Sequence, residues 1–141
     1  MEPMIETNMA FTFIFLLAVA WFLLRKFSQN PFDKTLKRAM AGNAQAQYDM
    51  GHYYYKGKQV ARNFTQAFNW FETAAKQGHV RALVAVAGLY NEGKGCEQNP
   101  QKAFECYEMA AKTGDFEARV NLAVCYLQGN GTQKDEKKGD E

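Results

Sequence analysis

The chain has 141 residues, with 17 basic and 15 acidic side chains and a net charge of +2. That length suits one ordinary domain plus an appendage. The positive charge is mild and scattered, without the basic stripe of a nucleic-acid binder, so no nucleic-acid partner is expected. Cys96, Cys106 and Cys125 are too few, and odd in number, for a disulfide framework, and no C-x-x-C pair supports a metal or thioredoxin-like site.

Residues 1–8 read as a short N-terminal tail and residues 9–27 as a transmembrane helix. No residue from Thr7 to Leu24 is charged, and the run from Met9 is almost wholly apolar. An apolar segment of roughly 17–25 residues can cross a bilayer as a helix. Trp21 and Phe22 stand where an aromatic suits the headgroup level, and Arg25 and Lys26 end the segment. Ala18-Val19-Ala20 has the small-x-small form of a signal cleavage site. The preceding residues, however, hold Glu2 and Glu6 where a signal peptide is basic, and the apolar run continues past that site. Arg25, Lys26, Lys34, Lys37 and Arg38 follow the segment, so basic residues staying inside put the N-terminus out and the remainder in the cytoplasm. The expected location is a bacterial inner membrane. A periplasmic repeat domain, or secretion after cleavage, is the alternative.

Residues 28–41 read as a linker and a degenerate leading helix. Beyond them the chain repeats itself every 36 residues: 42–77, 78–113 and a shortened 114–141. Gly42, Gly78 and Gly114 align, as do Ala46, Ala82 and Ala118; Met50, Val86 and Leu122; Tyr54, Tyr90 and Tyr126; and Gly57, Gly93 and Gly129. Asn63 and Asn99 align with Asp135, Phe68 with Phe104, and Ala74-Ala75 with Ala110-Ala111. Each unit reads as two helices. Helix A spans about 44–55, 80–91 and 116–128; helix B spans about 64–76 and 100–112. Asn63 and Asn99 stand where an N-cap belongs, and Pro100 fits a first helical position. One such hairpin cannot bury its apolar face alone, so the units must stack.

The third unit is expected to lack a packed helix B. Positions 139 and 140 hold Gly and Asp where the period asks for Ala and Phe. Helix A of that unit should then expose part of Val120, Val124 or Leu127, as a frayed end or as a surface for self-association.

The pattern Ala46-Met50-Gly51-Tyr54-Gly57, followed by Ala67, Trp70-Phe71, Ala74-Ala75 and Gly78, resembles the Sel1-like repeat family, relatives of the tetratricopeptide repeats. The resemblance covers roughly residues 42–138. It implies an all-α fold, a right-handed α/α solenoid, and a protein-binding role as adaptor or scaffold with no shared catalytic residue. Ala87 and Ala123 depart from the pattern at the position of Gly51, and Cys96 stands in place of Val60.

The sequence carries no recognisable catalytic, cofactor or metal constellation. Ser28 is the only serine, and Pro31 stands where an S-x-x-K motif needs lysine. His52 and His79 form no H-E-x-x-H, and Glu105 and Glu108 read as a solvated face. With Ala46, Met50 and Tyr54 inward, helix A offers Gln45, Asp49, His52 and Lys56 to a concave face. Unit two adds Arg81, Ala85, Gly88 and Glu92, and unit three adds Glu117, Asn121 and Gln128. Tyr53 and Tyr55 supply aromatic area at the edge. The expected function is therefore a membrane-anchored adaptor that binds a peptide or helix of another protein. An immunity or chaperone-like protein binding a toxin or effector is the alternative, and a β-lactam or other hydrolase is a weaker one.

Overall fold

A computed structural model describes residues 3–27, 30–132 and 136–139. Ser28 and Asp135, on which two of the readings above turn, lie outside these. Every regular element among the described residues is a helix. The chain divides into two compact units, residues 1–34 and 35–141.

In the first unit, α1 (Pro3–Phe27) contains an apolar span, Asn8–Lys26, with mean hydropathy 1.8 and none of it buried. Nineteen residues of helix rise about 28 Å, close to the ~30 Å hydrocarbon core of a bilayer. Two of its polar side chains find partners within the helix. The Thr12 hydroxyl donates to the Met9 carbonyl at 2.8 Å, and the Arg25 guanidinium lies 5.2 Å from the centre of the Trp21 ring. By composition alone, the same helix also fits a signal sequence.

The division between units falls inside α2 (Pro31–Met40). Then come α3 (Ala44–Lys56), α4 (Phe64–Lys76), α5 (Val80–Glu92), α6 (Pro100–Ala111), α7 (Phe116–Gln128) and α8 (Glu136–Gly139). Helices α3, α5 and α7 are the A helices, each 13 residues long and starting 36 residues apart. Helices α4 and α6 are the B helices; α3 packs on α4, α4 on α5, α5 on α6 and α6 on α7, a solenoid of helical hairpins.

Local chemistry places the ends. The Asn63 and Asn99 side chains accept from the Gln66 and Lys102 amides at 3.0 Å, so both B helices start where the asparagines require. The A helices have periodic caps as well, at Asn43, His79 and Asp115, whose side chains accept from the amides of Ala46, Ala82 and Ala118. Those three alanines are fully buried, which lets neighbouring helices approach closely. After each A helix the chain turns through a left-handed residue. At Gly95 and Gly131 a β-carbon would collide with the carbonyls of Phe64 and Pro100, so glycine lets the turn press on the start of the preceding B helix. Unit one carries Gln59 at that place, also left-handed with φ 64°.

The core is periodic too. Phe71 and Met50 are its largest fully buried side chains. The Phe68 ring meets Tyr90 edge-on at 5.2 Å, and Phe104 meets Tyr126 edge-on at 5.4 Å. The tyrosines 36 residues apart thus occupy equivalent places, each half-buried and each of these two receiving the aromatic of the preceding B helix.

The end of the third unit differs from expectation in one respect. A single helical turn, α8, begins 36 residues after α6 and packs on α7. Gly139 occupies the place of the buried Ala67 and Ala103, close against Leu127, where a β-carbon would come within 2.5 Å of that side chain. One turn covers little, so Val120 (45%), Val124 (39%) and Leu127 (37%) all remain exposed.

Candidate protein-binding groove

The three A helices line one face, and a groove of about 680 Å³ runs across it. Its bottom is set by α5. Ala85 and Gly88 follow Arg81 at helical spacing, and Glu92 completes the stripe, so the two charges stand about 16 Å apart along the axis with little side chain between them. Tyr48, His52 and Tyr55 of α3 form one wall; Phe116, Glu117 and Asn121 of α7 form the other. Phe71 and Tyr107 reach in from the B helices, and the Tyr107 hydroxyl lies 4.0 Å from where a Gly88 β-carbon would stand.

Of the residues read as concave from the sequence, His52, Arg81, Glu92, Glu117 and Asn121 converge on this groove, with Tyr55, Ala85 and Gly88. Asp49, Tyr53 and Lys56 line a smaller depression of about 270 Å³, together with Thr35, Lys58 and the other side of His52. Gln45 lines neither, its side-chain amide donating to the Asp49 carboxylate at 2.9 Å and its carbonyl lying 3.0 Å from His79 Nε2. Gln128 lines neither and accepts from the Asn130 amide at 2.8 Å. The physical reason is rotation: Tyr53 is one residue, about 100°, round the helix from His52.

His52 is not a free groove residue. It is half-buried, edge-on to Tyr48 at 4.5 Å and to Phe71 at 5.1 Å. Its Nδ1 is buried with no hydrogen-bond partner among the described residues. Burial lowers its pKa, the Lys56 ammonium lowers it further, and Asp49 partly opposes both. The Tyr48 hydroxyl is raised by burial, and Tyr107 likewise.

Tyr48 was missed from the sequence. It stacks on His79 at 4.8 Å and touches Phe71, so it joins two repeats and walls the groove. The spacing 48, 52, 55 would have revealed it, since these positions share a helix face.

Cys96, Cys106 and Cys125 are free thiols, each with its pKa raised by burial, which favours the inert thiol over the thiolate. Among the described residues no three His, Cys, Asp or Glu side chains cluster as a metal site.

The Sel1 repeat profile matches residues 44–79, 80–115 and 116–139. The chain is 36% identical over a 70-residue alignment to the chitin synthase regulator SKT5 of Saccharomyces cerevisiae, covering 45% of this chain and 10% of that protein. Among solved structures, c5321, a protective antigen of uropathogenic Escherichia coli with an SLR fold, superposes with TM-score 0.74 at 33% identity, over 77% of this chain and 23% of that one. A Sel1 repeat protein from Oxalobacter formigenes gives TM-score 0.71 at 36% identity, over 74% and 43%. Cysteine-rich protein B of Helicobacter pylori shares the fold at 21% identity, with TM-score 0.61 over 64% and 68%. The chain thus spans about a tenth of the curated relative and less than half of the first two structures. Sel1 repeat proteins are generally protein–protein interaction scaffolds, and by these matches the chain belongs to the Sel1 repeat family.

Proposed function

We propose that this chain is a membrane-anchored adaptor whose groove holds a helix or extended segment of another protein. The observation that carries this is the missing bulk at the centre of α5. Ala85 and Gly88 leave a trough walled by Tyr48, Tyr55 and Phe116, with charges at its ends. A bulky apolar side chain of the partner fits over Gly88, since rigid aromatic walls favour such anchors. Arg81 is exposed and makes no salt bridge among the described residues, so an acidic group on the partner suits that end. On this reading the chain performs no reaction, because its two histidines are occupied by packing and capping. A hydrolase screen including a chromogenic β-lactam should show no turnover.

The test places a photo-crosslinking amino acid at Ala85 and, as a control, at Lys112. Crosslinking in membranes should give a discrete protein adduct from position 85 alone, and Gly88→Trp should abolish it by filling the trough. Equal adducts from both positions, or an adduct indifferent to Gly88→Trp, would discard the reading.

The anchor is α1, with the repeats on the cytoplasmic side. The basic residues Arg25, Lys26, Lys34, Lys37 and Arg38 after the span, against Glu2 and Glu6 before it, support this orientation. Tags at the two termini should be reached from opposite sides of the membrane. A mature chain beginning after Ala20 would instead identify a signal sequence.

A further inference from the structure

We propose that His79 makes the junction between the first and second repeats acid-sensitive, acting as a clasp that holds the first turn of α5 and the Tyr48 wall only while its imidazole is neutral. This does not depend on what occupies the groove.

Each A helix begins on a side-chain cap, and the three caps are Asn43, His79 and Asp115. Of the three kinds of side chain, imidazole is the one that ordinarily exchanges a proton near neutrality. His79 differs. Its Nδ1 accepts from the Ala82 amide at 3.2 Å, while its Nε2 lies 3.0 Å from Gln45 Oε1. The Gln45 amide nitrogen donates to Asp49 at 2.9 Å, so Gln45 turns its oxygen to the ring and Nε2 must carry the hydrogen. The neutral Nε2–H form therefore satisfies both partners at once. A second proton would sit on Nδ1, facing the Ala82 N–H, and would put positive charge at a helix N-terminus, where the helix dipole disfavours it.

The surroundings agree. Burial is the main influence lowering the His79 pKa. The Asp49 carboxylate of α3 opposes it, and Arg81 of α5 lowers it again. Tyr48 of α3 stacks on the His79 ring, His52 stands edge-on to Tyr48, and Lys76, at the end of α4, pairs with Glu72 at 3.7 Å. The cap matters beyond its own bond. Ala82 is fully buried, and Val80 and Leu83 pack with Ala110 and Ala118, so the first turn of α5 lies where all three repeats meet.

The test uses the full chain in detergent micelles, with nitrogen-15 imidazole spectra and amide hydrogen exchange. At about pH 7.5 the His79 ring should show the Nε2-protonated neutral form. Between about pH 7.5 and about pH 5, exchange at Ala82, corrected for the chemical rate, should rise roughly tenfold in the wild type. It should stay flat in His79→Asn, which restores the cap found at Asn43. Ala46 and Ala118, capped by Asn43 and Asp115, report that the variant is folded and should not change in either protein. A neutral ring protonated on Nδ1 would overturn the proposal. So would the same rise at Ala82 in His79→Asn, or a parallel rise at Ala46 and Ala118.

Discussion

The side-chain amide of Gln77, just past the end of α4, donates to the side-chain carbonyl of Gln47 at 2.7 Å, and Gln47 passes the connection on by donating to the Ala39 carbonyl at 3.1 Å. Gln47 is 4% exposed, a buried polar side chain in an otherwise apolar core, and its counterparts in units two and three are Leu83 and Arg119. It ties the end of α2 to the first repeat, where the later units use apolar contact or solvent. Gln47→Ala leaves a buried carbonyl without its donor, a loss of about 1–3 kcal/mol. Hydrogen exchange at residues 35–41 should accelerate, while α6 and α7 keep their protection.

Two glycines on A helices should respond oppositely to alanine. At Gly51 an added β-carbon would come within 2.5 Å of the Phe71 ring, which is locked in the core. Gly51→Ala should lower stability by about 1–3 kcal/mol, as overpacking does. At Gly88 the nearest atom is the Tyr107 hydroxyl at 4.0 Å, so Gly88→Ala should be neutral or stabilising by up to about 1 kcal/mol through helix propensity. Paired thermal melts decide this.

The two edge-on aromatic pairs differ in burial. Phe68 is 9% exposed, whereas Phe104 is half-buried. Phe68→Ala should cost about 3–4 kcal/mol and Phe104→Ala clearly less, measured by denaturant unfolding with unchanged slope. Equal losses would mean that the stack distributes strain evenly between its ends.

His52 gives stability a pH dependence of known sign. Burial, the main cause, holds its folded pKa below the ordinary value of 6.5, so the unfolded chain takes up the proton first. Stability is full above about 6.5, falls as pH drops below it, and levels off below the folded pKa. His52→Phe keeps a ring against Tyr48 and Phe71 and removes the titration. Between about pH 7.5 and about pH 5 its melting temperature should fall less than that of the wild type. Since the chain has two histidines, what remains should vanish with His79→Asn added.

Much of the solenoid was legible without coordinates. The expected helix B starts at 64 and 100 coincide with α4 and α6, because Asn63 and Asn99 act locally and the period repeats their effect. The equivalence of Tyr90 and Tyr126 followed in the same way. The groove was less legible. His52, Arg81, Glu92, Glu117 and Asn121, read as concave, line it, Tyr48 lines it unread, and Asp49, Tyr53 and Lys56 line a neighbouring depression. The A-helix caps at 43, 79 and 115 also lay unread, because Asn, His and Asp do not look alike as letters although each presents an acceptor to the same amide.

The amino-acid order by itself determined the period, the helical hairpin, the turns and the apolar first helix, since these rest on contacts within a few residues and on a face that only stacking can bury. Tertiary structure decided which side chains meet across repeats: Gln47 with Gln77, His79 with Gln45, and Tyr48 opposite Asn121 over the bare centre of α5. Those meetings depend on how the volumes of Phe71, Tyr107 and the buried alanines set each helix's rotation and approach, and no spacing along the chain encodes that.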